Sequence, residues 1–582
     1  MPLLMFHLRN IVRFACGSGF ALPVLVLCLA MGCSKAEVPV GESDAGLAAA
    51  GTEFPRGVIE VTPGVHVAVG FGLANSIMLE GSDGVVIVDA MESAEAARPV
   101  REAFRKISDK PVRAIILTHS HADHIFGAGV LAGSDHPEVI AHATFAAELE
   151  KMAGALRPVL FKRSMRQFGT ALPQAESLNC GIGPRLLSDG NATLAPLMPT
   201  RTFDGEQTEI DVAGLHLVLV HAAGETPDQI FVWLPEKRLL LAGDNYYHSF
   251  PNLYTIRGSA HRDVLQWVAS LDKMRALHPA FLVPSHTLPI TGEDDVARVL
   301  TDYRDAIQYV HDRTVMLMNE GLSAQDIAAQ VHLPPSLADR PYLAEHYGRV
   351  DWSVRGIFDG YVGWFGGNAA ELPTMTSRQT ARRMAALAGG SEKLRDAARA
   401  ALDKGDARWA LELSDNVLAL DEFTDVAAQT RAAALRMLAA AEPSANGRNY
   451  YLSAALESEG KIEMAAPDPA KAPVELLRAL PVEAFMRALC VHLRPDKAQG
   501  RAITVGFRFP DVGEEWGVWV RNSIAELQPR LPEHYDMLVT VDSLVWKEIL
   551  SRKRNATAAF VRGDIQVDRS RLELVRFLFL FR

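Results

Sequence analysis

Between Thr118 and His124 the chain reads Thr-His-Ser-His-Ala-Asp-His, so His119, His121, Asp123 and His124 offer four potential metal ligands within six residues. Neutral imidazole together with carboxylate suits zinc. An exposed turn does not need three imidazoles, and a core would not hold them beside a carboxylate unless they were paired. One such cluster cannot complete two four- to five-coordinate sites, which directs attention to strand ends further along the chain. Glu225 lies in Gly224-Glu225-Thr226-Pro227, Asp244 in Ala242-Gly243-Asp244-Asn245 and His286 in Pro284-Ser285-His286, each directly after a short apolar run. Turns that follow buried strands are where α/β proteins gather their site residues. Taken singly, Asp244 could cap a turn and His286 could satisfy a backbone group. Alongside the histidine cluster they become candidate ligands, whereas His142 and His221, close by in sequence, are read as non-ligands.

These residues need strands to carry them, and the patterning supplies strands. Short β-branched runs at 65–69, 76–79, 85–89, 114–117, 139–141, 216–220, 230–234, 239–241 and 281–283 alternate with helical stretches such as 93–107. The cluster at 119–124 then sits at a strand's carboxyl end and opens a helix. An α/β layered domain is expected over 55–340. From about 300 the strand signals fade and Ala, Leu, Arg and Glu dominate, predicting an all-α domain over 341–464. Within it, 394–441 reads as two or three helices, with Gly405-Asp406 between the first pair. A Pro/Ala-rich linker at 465–473 precedes a small α+β domain over 474–582, with strands expected at 502–509, 516–521 and 537–541.

The 582 residues carry 59 Lys plus Arg against 70 Asp plus Glu, a formal charge of −11. That balance argues against a nucleic-acid surface, which needs a basic face. Any anionic substrate must then be held by a local cluster of positive charge or metal. Five cysteines cannot scaffold a chain of this length, and Cys180 and Cys490 are read as two buried thiols. The first 33 residues have the grammar of a secretory signal: Arg9 and Arg13, an apolar run over 21–32, then small residues. The run is shorter than the roughly 20 residues that span a bilayer. Ala30-Met31-Gly32-Cys33-Ser34 resembles a bacterial lipoprotein box with Cys33 as the lipidated residue, followed by a polar tether over 34–54. Export is expected, to the periplasm or outer membrane as a lipoprotein, with plain secretion as the alternative.

His-x-His-x-Asp-His followed by the three turns resembles the metallo-β-lactamase superfamily over roughly 55–300. Within it the chain is similar to the class III alkylsulfatases, through Gly224-Glu225-Thr226-Pro227, Asn252-Leu253-Tyr254-Thr255-Ile256-Arg257-Gly258, His346-Tyr347-Gly348, the stretch from Gly360 to Asn368, and Asn449-Tyr450-Tyr451-Leu452. The resemblance implies an αββα sandwich, then a helical dimerisation region, then an end domain similar to sterol-carrier proteins. It implies two zinc ions per chain: His119, His121 and Glu225 around one, Asp123, His124 and His286 around the other, and Asp244 between them with a water. Asp123 would thereby be a catalytic residue as well as a ligand. Arg257 matches the family's sulfate-binding arginine, Asn252 and Phe168 fall on the substrate side, and His261 lies near the place of a leaving-group acid, with Arg262 standing there if the register shifts by one. Two departures stand out: Asp244 replaces the family's usual Glu, and Phe168 stands where a tyrosine hydroxyl is expected. The implied activity is hydrolysis of alkyl sulfate esters such as dodecyl sulfate by a homodimer that meets a membrane only through its lipid anchor. The competing readings are another hydrolase of the same fold, acting on a lactam, thioester or phosphodiester, and a lipoprotein that binds amphiphiles without catalysis.

Overall fold

The β-branched runs of the first 150 residues of the folded chain pair in chain order into one sheet, whose inner strands carry apolar side chains on both faces and are covered on both. A computed structural model describes residues 42–187, 192–569 and 571–581. The expected signal segment, Cys33 and the start of the tether lie outside these residues. The seven-stranded sheet runs β1 (Gly57–Thr62), β2 (Val65–Val69), β3 (Ser76–Glu80), β4 (Val85–Val88), β5 (Val112–Ile116), β6 (Glu138–His142) and β7 (Arg201–Phe203). Its first strands are antiparallel, whereas β4 to β7 run parallel. A six-stranded sheet contains β8 (Gln207–Val212), β9 (Leu215–His221), β10 (Ile230–Leu234), β11 (Leu239–Gly243), β12 (Phe281–Pro284) and β13 (Ile290–Thr291), with β11 and β12 parallel.

The two sheets bury a shared layer in which Val67, Ile77, Val88 and Ile116 meet Leu217, Leu219, Val232 and Leu241. Helix Ala94–Ile107 covers the outer face of the first sheet through Ala97, Val100 and Phe104. Helices Val264–Ala276 and Glu293–Asn319 cover the second through Trp267, Leu271, Leu300 and Tyr303. This is the αββα sandwich. Parallel pairs β4/β5 and β11/β12 turn their carboxyl ends the same way, so the loops that follow them meet at one edge.

Beyond the sandwich, helices Ser391–Asp403, Ala407–Ala419, Thr424–Ala441 and Ala445–Ser458 form the all-α region, and Gly405, at φ +83°, ends the first of them. The final α+β domain has a five-stranded sheet, including Ile503–Phe509, Glu514–Arg521 and Met537–Val541, around Phe507, Phe509 and Trp546. Cys180 is buried and Cys490 partly so, both as free thiols. One expectation is corrected. The second half of the tether is not free chain: Glu42–Ala50 is an α-helix whose Leu47 is buried and whose Asp44 pairs with Arg448 at 2.5 Å. Its run of alanines favours helix, and a docked face stabilises what so short a helix could not hold alone.

Candidate metal centre

Each strand end delivers one turn. The chain leaves β5 through Leu117, places Thr118 to His121 in extended turns and forms a single helical turn over Ala122–Ile125. The loop after β9 brings Glu225, β11 delivers Asp244 and β12 delivers His286. All seven expected ligands come together. Their donor atoms form three overlapping groups, each within 4.8 Å: His121, Glu225 and Asp244; Asp123, His124 and His286; His119, His124 and Asp244. Asp244 and His124 each belong to two groups. His119 therefore groups with His124 and Asp244, although its Nε2 also lies 2.9 Å from His121 Nδ1.

The imidazoles are oriented from behind. Thr118 Oγ1 donates to Asp89 at 2.9 Å and so accepts from His119 Nδ1 at 3.1 Å, which leaves His119 Nε2 as an acceptor facing the centre and His121 Nδ1. His124 Nδ1 donates to Asp89 at 2.8 Å, and His286 Nδ1 to the Leu73 carbonyl at 2.9 Å. Asp89 also accepts from the Thr118 backbone amide and, at 2.6 Å, from Ser285 Oγ, so one buried carboxylate after β4 ties the β5 turn to the β12 turn. Sequence reasoning treated Asp89 only as a strand end. The available signal was a carboxylate closing the apolar run Val-Val-Ile-Val.

The donor set fits divalent metal. His124 Nε2, His286 Nε2, Glu225 Oε2 and Asp244 Oδ1 are buried without a hydrogen-bond partner. Each such atom costs about 1–3 kcal/mol unless something satisfies it. The 2.9 Å separation of His119 Nε2 and His121 Nδ1 is close to the edge of about 3.3 Å that tetrahedral geometry gives at a Zn–N bond of about 2.0 Å. Burial pushes His119 down to about 4 and His121 well below its usual value, keeping both imidazoles neutral. Burial also opposes charge on His124 and His286, but Asp244 and Asp123 outweigh it and raise both. Despite burial, Asp123 is held down to about 2 by His124 and His286, and Asp244 well below its usual value by His286, His124 and His119. A pocket that draws protons onto two imidazoles is one that lacks positive charge, which cations supply.

The substrate-side residues divide. Arg257 reaches the centre, with Nη2 2.9 Å from His121 Nε2, and its backbone amide donates to Gln167 Oε1 at 2.8 Å. Asn252 is buried with both atoms of its carboxamide unpartnered. Phe168 packs in an apolar cluster with Leu73, Cys180, Tyr247 and Tyr347, beneath the loop that holds His286. His261 is corrected: it is exposed and lies beside Gly360 and Tyr361. Arg262 turns inward instead. It is buried, its Nη1 lies 3.0 Å from Glu225 Oε1, and it also donates to the Asn252 carbonyl. Burial raises Glu225, and Arg262 opposes that rise. His142 and His221 stack at 3.9 Å and bond to Thr144 and the Pro227 carbonyl, outside the three ligand groups.

Comparison with known proteins covers most of the chain. The metallo-beta-lactamase superfamily matches residues 69–286, alkyl sulfatase dimerisation 323–461 and alkyl sulfatase C-terminal 470–582. A linear primary-alkylsulfatase from a Pseudomonas strain is 36% identical over 87% of this chain and 98% of its own length. An (R)-specific secondary-alkylsulfatase from Pseudomonas is 28% identical over 88% of this chain and 79% of its own length. The solved structure of a stereoselective inverting sec-alkylsulfatase from Pseudomonas superposes with a TM-score of 0.84 at 28% identity, covering 90% of this chain and 84% of that one.

Proposed function

We infer from one fact, that this chain belongs to the alkylsulfatase family within the metallo-β-lactamase superfamily, that it is a metal-dependent hydrolase of alkyl sulfate esters, dodecyl sulfate among them. The observation that carries the reading is the convergence of seven ligand side chains beside two arginines, Arg257 and Arg262. His119, His121 and Glu225 would hold one zinc, Asp123, His124 and His286 a second, and Asp244 both. Two such ions, when bound, supply a water-derived nucleophile at neutral pH and positive charge for the ester oxygens.

The chain's own residues do the rest. Arg257 donates from the rim of the centre, where its guanidinium can grip two sulfate oxygens at once. The unpartnered Asn252 carboxamide offers a further donor within the same loop. Arg262 anchors that loop to Glu225, so the sulfate-binding residues and a ligand turn keep one register. A guanidinium does not give up its proton near neutral pH. Arg262 is therefore not the acid of the departing group, and its engagement by Glu225 and the Asn252 carbonyl makes it a positioning residue.

The test is inorganic sulfate release from dodecyl sulfate alongside elemental analysis. The native protein should hold two zinc ions per chain and release sulfate, and His121→Ala should lose metal and turnover together. A lactam, thioester or phosphodiester cleaved in preference would favour another hydrolase of this fold, and detergent binding with full metal but no sulfate would favour a non-catalytic binder. Cys33 as a lipidated residue and an exported location belong to the same proposal. Cys33→Ser should then move the protein from the membrane fraction to the soluble one.

A further inference from the structure

Helix Arg157–Gln167 runs beside the sulfate-binding turn for three successive rungs. Gln167 Oε1 accepts from the Arg257 amide at 2.8 Å, Arg163 Nη2 donates to the Ile256 carbonyl at 2.7 Å, and a side-chain atom at Gly258 would meet Leu160 at 3.5 Å. Residues 160, 163 and 167 share one helix face, and Leu156, the helix N-cap with helical backbone angles, continues it outward. Along this face the helix passes from a buried end at Gln167 to an open one. Leu156 is 61% exposed and Val159, flanking the same face, 49%. At 1.5 Å per residue, Leu156 lies about 16 Å beyond Gln167, the scale of an extended medium-length alkyl chain.

The charge on this helix is as one-sided as its apolar stripe. Its sequence, RPVLFKRSMRQ, has four basic residues and no acid, in a chain whose net charge is −11. Arg166 is paired with Glu457, but among the described residues Arg157 and Lys162 have no anionic partner. Arg157 is partly buried and borders the stripe at the i, i+3 spacing from Leu160. A cationic, apolar-striped surface that leads away from a sulfate-binding arginine matches one kind of ligand, an anion with a hydrocarbon tail.

We propose that helix Arg157–Gln167 is the tail-binding wall of the site, with the alkyl chain of the ester laid along Leu160, Leu156 and Val159. The proposal rests on the alkyl-sulfatase reading, from which it takes only the position of the sulfate at Arg257. A buried methylene contributes about 0.8 kcal/mol, or about fourfold in affinity, so each rung of stripe covered should be visible kinetically.

The experiment compares hexyl, octyl and decyl sulfates, below micelle formation, on the zinc-loaded full chain, its Leu156→Ser/Val159→Ser variant and a Val561→Ser control, whose residue is exposed in the C-terminal domain. Binding of decanesulfonate, which cannot be hydrolysed at its C–S bond, is measured by calorimetry on the same three proteins. The native protein and control should gain about fourfold in kcat/KM per methylene, and the double variant less than about twofold, through KM and not kcat. Decanesulfonate affinity should fall in the double variant alone. An unchanged chain-length slope in the double variant overturns the proposal. So does an unchanged slope with loss of a dimer in sedimentation, which would assign the stripe to a second copy of the chain. If no ester releases sulfate, the reaction falls separately: selective loss of decanesulfonate binding would still uphold the tail wall, and equal binding by all three proteins would reject it.

Discussion

Glu225 has two carboxylate oxygens, and the protein uses them differently. Oε1 is engaged by Arg262, while Oε2 is left without a protein partner toward His121 and Asp244. A carboxylate ligand that is pinned on one side is held in one orientation, and its charge is balanced even when desolvated. Removing the arginine strands a buried charge, which typically costs about 3–5 kcal/mol. Arg262→Ala should therefore lower stability by that order in urea unfolding of the metal-free protein. Arg257→Ala is a different case, because its side chain reaches the rim and, among the described residues, forms no ion pair with a carboxylate. That variant should keep its metal by elemental analysis, yet lose about 10- to 100-fold in kcat/KM for sulfate release, the worth of a charge-assisted hydrogen bond. Two arginines five positions apart thus separate by what they leave behind.

At the scale of elements, the segment between β4 and helix Ala94–Ile107 organises the centre without supplying a ligand. Asp89 and Met91 adopt positive φ there, at 60° and 65°, which turns the chain sharply enough to put Asp89 and Glu92 both beneath the site. Asp89 holds His124 by its Nδ1, and loss of such an orienting carboxylate typically weakens metal binding 10- to 100-fold. Asp89→Asn should show that loss in competition with a chromophoric chelator. Glu92 accepts from the amides of Leu73 and Leu187, and the Leu73 carbonyl in turn accepts from His286. Burial raises the Glu92 carboxyl to about 7. An acid raised in the folded state binds more protons folded than unfolded between about pH 4.5 and 7, so its contribution is full below 4.5 and is lost as pH rises through 7. Its whole span is about 3 kcal/mol at most. Glu92→Gln should flatten the fall in urea stability of the metal-free protein across that window, and an equally steep fall in both proteins would mean that Glu92 is not its source.

Over the whole molecule, the regions beyond the sandwich differ in how they are finished. The C-terminal domain closes its own core around Phe507, Phe509, Trp546 and Phe577. Its Leu476 and Leu480 also pack into the outer layer of the first sheet, which joins it to the catalytic domain. The all-α region is left with large apolar side chains in solvent, notably Trp364 at 70% exposure and Leu372 at 60%, on the stretch after helix Val350–Val362. Apolar side chains exposed in this number are what a subunit interface would cover, and the stretch lies within the part of the chain that matches alkyl sulfatase dimerisation. The native protein should sediment as a dimer, and Trp364→Asp/Leu372→Asp as a monomer with its helical circular dichroism intact. Among the described residues no helix is long and apolar enough to cross a membrane.

The seven candidate ligand positions were legible from residue type and from their place in the pattern, because imidazole and carboxylate in turns after apolar strands have few structural uses. Most strands followed from local pattern in the same way: 65–69, 230–234 and 537–541 coincide with the strands observed. The second half of the tether did not, since a short alanine-rich helix is decided by what it docks against. Nor could linear order decide between His261 and Arg262. Only the packing of that loop against Glu225 and Tyr361 selects which one turns inward. Asp89 and Glu92 stayed hidden for the same reason: their partners at Ser285, Leu73 and Leu187 are distant in sequence, and a hydrogen bond leaves no local pattern when its two ends are brought together by the fold.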